Sequence, residues 1–131
     1  MVLDTSAIIA AITNEQDGSR FREAMLSAET LLMSSVAALE TRIVLFARLG
    51  PDGVGLFEQL LENAGIVVVP FNDEMARGAF DAFYRFGKGQ GQPAQLNIVD
   101  CAVYALAKGR SEPLLYKGTD FARTDIQSAL T

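Results

Sequence analysis

The chain has no histidine among its 131 residues. That absence removes Ser-His-Asp and Cys-His catalysis, histidine-based zinc sites and the histidine acid–base pair of metal-free ribonucleases. Whatever chemistry the protein performs must come from carboxylates, hydroxyls, amines or a bound metal. Cysteine is nearly as scarce. Cys101 stands alone, so no internal disulfide can form, and a reducing compartment, the cytoplasm, is the expected setting. No apolar run approaches the roughly 18 residues of a membrane span, and the N-terminus lacks the basic stretch and apolar core of a signal peptide. Positive charge is also short: sixteen acids against eleven bases leave a net charge of −5. Such a balance argues against a broad basic surface for nucleic acid. It still allows an enzyme whose positive charge is supplied locally by metal ions.

What is present is a globular composition, 50% hydrophobic and 21% charged, at a length suited to one compact domain. Met1-Val2-Leu3 is an apolar run without polar alternation, the habit of a strand buried on both faces of a parallel sheet. A helix is expected directly after it, then a polar loop at 14–19 with Asp17 or Ser19 as the cap of a second helix over 20–28. Strands are expected at 30–33, 66–69 and 114–116. Helices are expected at 36–49, 52–64, about 73–86 and 97–108, with Gly50-Pro51 stopping the third. The Gly87–Pro93 stretch is a loop too short to link domains. Alternating strands and helices predict a single α/β domain of three layers, α/β/α, around a mostly parallel sheet of four to five strands.

Four carboxylates stand out against this frame. Asp4 and Asp120 each follow an apolar strand, and Asp100 opens a helix, which places all three at the carboxyl edge of the sheet, where open α/β sheets bind ligands. Glu40 falls among Val36, Ala37, Ile43 and Val44 at helical spacing, so its charge needs a partner or a metal. Each also has a plain structural reading. Asp4 suits an N-cap, Asp100 suits the favourable end of a helix dipole, Asp120 suits a Gly-Thr-Asp turn, and Glu40 suits a buried ion pair with Arg42 or Arg77. Asn97 is a natural N-cap for the helix that carries Asp100. Convergence at one edge favours a single site over four separate coincidences.

Such a cluster requires a cation. Two carboxylates about 5 Å apart repel by roughly 3 kcal/mol at an effective dielectric near 20. Oxygen ligands without His or Cys suit hard ions, Mg²⁺ or Mn²⁺, rather than zinc. A divalent ion held this way can activate water and clamp a phosphodiester for in-line attack.

The blocks Met1–Ala7, Leu96–Ala107 and Leu114–Phe121, together with Glu40, resemble the PIN-domain family, and more narrowly the VapC-type ribonuclease toxins of type II toxin–antitoxin pairs. The resemblance spans essentially the whole chain, in order and spacing. It implies an acidic quartet, Asp4, Glu40, Asp100 and Asp120, that binds Mg²⁺ or Mn²⁺ and hydrolyses RNA. Thr119 stands where asparagine is frequent in the family, and Val99 where a glycine often precedes the aspartate. Asp125 matches a further acid of the family. The resemblance also implies a homodimer and inhibition by a small cognate VapB-type antitoxin. Thr5, Ser6, Asn97 and Thr119 are candidates to orient water or substrate. Lys88, Lys117 and Arg123 are candidates to touch the RNA backbone.

Two other classes remain open on the residues alone. A phosphatase of the haloacid-dehalogenase kind wants a second aspartate two residues after the first, where Ser6 stands. A phosphoacceptor domain wants an aspartate after a middle strand, and neither Met33-Ser34-Ser35 nor Val69-Pro70 supplies one, although Lys117 would fit its lysine. A non-catalytic PIN-like binding module would keep the acids to receive a partner's arginine.

Overall fold

A computed structural model describes residues 1–130. Four strands, β1 (Val2–Leu3), β2 (Leu31–Ser34), β3 (Ile66–Val69) and β4 (Leu114–Leu115), form one sheet in the order β3-β2-β1-β4. Every pairing is parallel, with Val2 beside Leu32 on one side and Leu114 on the other. Successive strand residues point to opposite faces, and Val2, Leu3, Leu114 and Leu115 are all fully buried. Both faces of the central strands are therefore covered, as a three-layer α/β/α arrangement requires. The edge strand differs: Val67 on β3 is 56% exposed.

Six helices surround the sheet: α1 (Thr5–Ile12), α2 (Gly18–Ser27), α3 (Ser35–Leu49), α4 (Pro51–Asn63), α5 (Asp73–Phe86) and α6 (Ile98–Arg110). Their ends follow local chemistry. Ser34 caps α3 through the Val36 amide, Asn72 caps α5 through Met75, and Gly50 takes φ +69° between α3 and Pro51 at the first position of α4. Phe21, Phe57, Leu45, Leu96 and Met33 fill the core. Among the described residues no helix is long and apolar enough to cross a membrane.

The expected elements are present with shifts of one or two residues. The larger surprise is at the start of α2. Asp17 holds the N-cap position but makes no side-chain cap bond; its carboxylate accepts from Lys117 Nζ at 3.0 Å instead. The competing ammonium, 100 residues away in sequence, wins over the local amide.

The topology also locates the crevice. From β1 the chain builds outward to β2 and β3, then returns to place β4 on the other side of β1. The connections leaving β1 and β4 thus diverge, which opens a crevice beyond their carboxyl ends.

Candidate active site

Asp4 is the first residue beyond β1, and its placement is tightly determined. Its amide donates to the Leu115 carbonyl at 3.0 Å, tying it to the end of β4. Its Oδ2 accepts from the Ser6 amide at 3.0 Å and from the Ser6 hydroxyl, so it does cap α1. The second oxygen, Oδ1, is buried and has no partner. A buried carboxylate oxygen left without a donor is costly. Burial drives the Asp4 pKa upward, the Ser6 bonds oppose that, and the charge of Glu40 adds to the rise.

Asp100 is the third residue of α6. Its Oδ2 accepts from the Asn97 amide at 3.0 Å, while Asn97 Oδ1 accepts from the Asp100 amide at 2.9 Å, a reciprocal capping box. The carboxyl is nevertheless pushed up to about 6. Burial is the main cause, opposed by the Asn97 bond and reinforced by the charges of Asp4, Glu40 and Asp120. An acid that titrates high despite a helix N-terminus and a backbone donor is one whose burial, with the neighbouring acids adding to it, outweighs both.

These acids share one cleft of about 450 Å³, lined by Asp4, Glu40, Asp100 and Asp120 and also by Glu15, Arg48, Lys117 and Thr119. Five of those lining side chains are acidic and two basic. A larger groove, about 660 Å³, surrounds Arg85, Tyr104, Lys108 and Asp125. Its central charges are paired with one another: Asp125 Oδ2 lies 3.2 Å from both Arg85 Nη2 and Lys108 Nζ. The acid cleft is the one with an unpartnered buried oxygen.

Glu40 reaches the cleft by a different face than its spacing suggested. The buried residues of α3 are Ala37, Ala38, Thr41 and Leu45, whereas Ile43 is 60% exposed and Ala47 is exposed. The buried stripe is Ala37, Ala38, Thr41 and Leu45 rather than Val36 and Ile43, so Glu40 flanks it and is only partly buried. Neither proposed arginine partner reaches it. Arg42 pairs with Glu58 at 2.7 Å and Arg77 with Asp73 at 2.9 Å.

The hydroxyl and amide candidates have local duties. Thr5 is buried and donates its hydroxyl to the Ala37 carbonyl at 3.2 Å, with Thr41 Oγ1 3.1 Å away, so it ties α1 to α3. Ser6 Oγ donates to Asp4 and accepts from the Lys117 amide at 2.9 Å, joining the loop after β4 to α1. Asn97 orients Asp100. Thr119 lies exposed on the cleft wall.

Of the three basic candidates, only Lys117 lines the cleft. Arg123 donates to the Pro93 carbonyl at 3.1 Å, and Lys88 sits exposed in the glycine-rich loop. Asp125 lies outside the acid cluster as well. Burial raises its pKa, but the bonds from Tyr104, Lys108 and Arg85 together outweigh it and hold the carboxyl down at about 2. Glu15 and Arg48 are the cleft residues that the sequence did not mark. Glu15 lies in a polar loop and Arg48 is a lone charge near the end of an apolar helical run, and only the tertiary fold brings them together.

The donor set fits a hard divalent cation. All candidate ligands are oxygens, one is buried without a partner, and neighbouring acids add to the raised pKa of Asp4 and of Asp100. Among the described residues no three acids are grouped so that they could hold an ion as they stand. Mg²⁺ asks for less than that, because it is commonly held by one or two carboxylates and keeps several waters.

The PIN-domain family model matches residues 1–127. The chain belongs to the PIN-domain family. Ribonuclease VapC28 of Mycobacterium tuberculosis is 43% identical over 130 residues, covering 99% of this chain and 98% of that protein. Ribonuclease VapC42 of the same organism is 37% identical over 131 residues, the full length of both. Among solved structures, Mycobacterium tuberculosis VapC20, described as a toxin cleaving the sarcin–ricin loop, aligns with a TM-score of 0.80 at 15% identity over 95% of each chain. A toxin–antitoxin complex from Klebsiella pneumoniae aligns at 0.70, with 15% identity over 92% of this chain and 89% of that one. The two structural likenesses establish the shared fold of this PIN domain, and the two sequence relatives place it beside the VapC ribonucleases.

Proposed function

We infer that this PIN domain is a metal-dependent endoribonuclease of the VapC toxin type, hydrolysing RNA phosphodiester bonds and held in check by a small VapB-type antitoxin. Support for hydrolysis comes from its VapC ribonuclease relatives, and support for the partner comes from the toxin–antitoxin complex that shares its fold. The observation that carries the site assignment is Asp4 Oδ1, buried without a donor at the junction of β1 and β4 beside three other acids.

Asp4, Asp100 and Asp120 would hold Mg²⁺ or Mn²⁺, with Glu40 a ligand directly or through water. The bound cation supplies positive charge for the phosphodiester and lowers the pKa of water toward neutrality. The chain's own residues do the positioning. Ser6 fixes Asp4 by two bonds to one oxygen, and the other oxygen is buried without a partner. Asn97 fixes Asp100 in the same way. Thr119, exposed on the cleft wall, would hydrogen-bond water or a phosphate oxygen. Products would carry a 5′-phosphate and a 3′-hydroxyl. The protein is expected to act as a homodimer.

The test is cleavage of a mixed RNA pool by purified protein with Mg²⁺ or Mn²⁺ and with chelator, beside Asp4→Asn. Metal-dependent products from the wild type, reduced more than a hundredfold in the folded variant, are expected. Equal cleavage by Asp4→Asn would dismiss the assignment.

A further inference from the structure

At the mouth of the acid cleft, two cations from distant parts of the chain are held by one carboxylate. Glu15, in the loop between α1 and α2, accepts from Lys117 Nζ through Oε2 and lies 3.9 Å from Arg48 Nη1 through Oε1. Lys117 follows β4, and Arg48 is in the last turn of α3. Asp17 takes the remaining side of Lys117 at 3.0 Å. Two positive and two negative charges thus cancel at this rim, while the cleft behind it is strongly acidic.

A single oxyanion group spanning a lysine and an arginine is the arrangement in which a phosphate is held. All three side chains keep contact with water, with exposures of 39% for Lys117, 31% for Glu15 and 54% for Arg48. Exposed pairs of this kind exchange partners at little cost. The neighbouring acids repel a polyanion, so an RNA strand needs these cations more than a neutral surface would.

We propose that Lys117 and Arg48 grip an RNA backbone phosphate at the mouth of the cleft, and that Glu15 is the built-in competitor which occupies them until a strand displaces it. This rests on the nuclease reading above and adds a binding pair and its antagonist. It predicts the unusual sign that removing a cleft residue tightens substrate binding.

The experiment measures anisotropy of a short fluorescein-labelled single-stranded RNA in the Asp4→Asn background with Mg²⁺, and KM in the cleaving protein. Glu15→Gln, combined with Asp17→Asn to release Lys117 fully, should lower Kd and KM about two- to fivefold, the range that losing exposed ion pairs allows. Arg48→Gln and Lys117→Gln should weaken binding and each flatten the log–log salt slope by about 0.7 if one phosphate contact is lost. The backbone bond from Lys117 to Ser6 survives these side-chain changes, and thermal unfolding checks that the fold does too. Cleavage by the parent with unchanged or weaker binding in the Glu15 variants overturns the competitor and leaves the nuclease standing. Tighter binding in those variants without cleavage under any metal supports the competitor and removes the nuclease reading. No RNA binding by any variant overturns both.

Discussion

Asp100→Asn should make the metal-free protein more stable while abolishing its activity. The carboxyl is raised from 3.8 to about 6, a shift of about 2 units that corresponds to roughly 3 kcal/mol between its two protonation states. Because the group is only partly buried and faces an open cleft, screening reduces this to about 1.5 kcal/mol. The dipole of α6 and the Asn97 bond are already inside that balance, since both favour the carboxylate and the pKa is still high. Asparagine keeps an oxygen to accept from the Asn97 amide, so the capping box survives. A chain of this length has an unfolding entropy near 0.28 kcal/mol/K, and the gain corresponds to about 5 °C in Tm.

The pH dependence gives the sharper check. Between pH 3.8 and about 6 the folded state binds more protons at Asp100 than the unfolded state does, so wild-type stability falls as pH rises through that window. The penalty is complete above about 6 and absent below about 3.8. Thermal unfolding in chelator should therefore show Asp100→Asn ahead by about 5 °C at pH 7.5 and level near pH 4. Adding Mg²⁺ or Mn²⁺ at neutral pH should raise the wild type and largely spare the variant, because a ligand that binds only the folded state stabilises by mass action. A variant that melts lower than wild type at pH 7.5, or that keeps the same advantage at pH 4, would refute the reasoning.

Thr5→Val should cost about 1 kcal/mol in urea unfolding, because it breaks the buried link to the Ala37 carbonyl, while cleavage stays within about threefold of wild type; a hundredfold loss with unchanged stability would return Thr5 to the water-orienting role. Asp125→Asn should lower stability at neutral pH by about 1 kcal/mol, a figure halved for its exposure, by releasing Tyr104, Arg85 and Lys108. The depressed pKa, about 2 against an ordinary 3.8, means that this contribution is present above pH 3.8 and lost as pH falls toward 2. RNA cleavage should be unaffected by that substitution, and a severe loss of activity in a well-folded Asp125→Asn protein would move the residue into the site. Val67→Lys on the exposed edge strand β3 should leave both stability and cleavage unchanged, since its side chain is already 56% exposed; a loss of assembly in sedimentation would mark that edge as the dimer contact.

The sheet was legible because parallel strands in a doubly covered sheet advertise themselves as unbroken apolar runs, and Val2-Leu3, Leu31–Met33 and Leu114-Leu115 do so here. The place of Asp4 at its edge is legible for the same reason, since a carboxylate directly after such a run has one edge to occupy. Glu40 shows where pattern reading stops. Periodicity selected the stripe through Val36 and Ile43, but α3 turns Ala37, Ala38 and Thr41 inward, because α1 approaches closely enough for Thr5 to bond the Ala37 carbonyl. Close approach favours small residues over hydrophobic ones, and no single-helix pattern contains the neighbour's distance. The Asp17 cap failed similarly, through a lysine that only the folded chain brings near. Glu15 and Arg48 carried no local signal at all.

The same residues that build the fold's central junction also create its electrostatic strain. Asp4 anchors to β4 through its backbone amide and caps α1 through the Ser6 bonds, which engage one carboxylate oxygen and leave the other unserved. Asp100 repeats the pattern with Asn97 at the head of α6. A cap needs only one carboxylate oxygen, so a capping aspartate at a buried strand end can present its second oxygen with no freedom to turn away. On the proposed reading, two such caps lining one crevice would make a ligand site whose geometry is held by the secondary structure itself. The cost is burial first and mutual repulsion second, and both raise Asp4 and Asp100; on that reading, a bound cation would offset this cost. Asparagine at either position keeps the cap and removes the repulsion. That is why the isosteric variants should fold better and work worse, whereas alanine would confound the two effects by removing the cap as well.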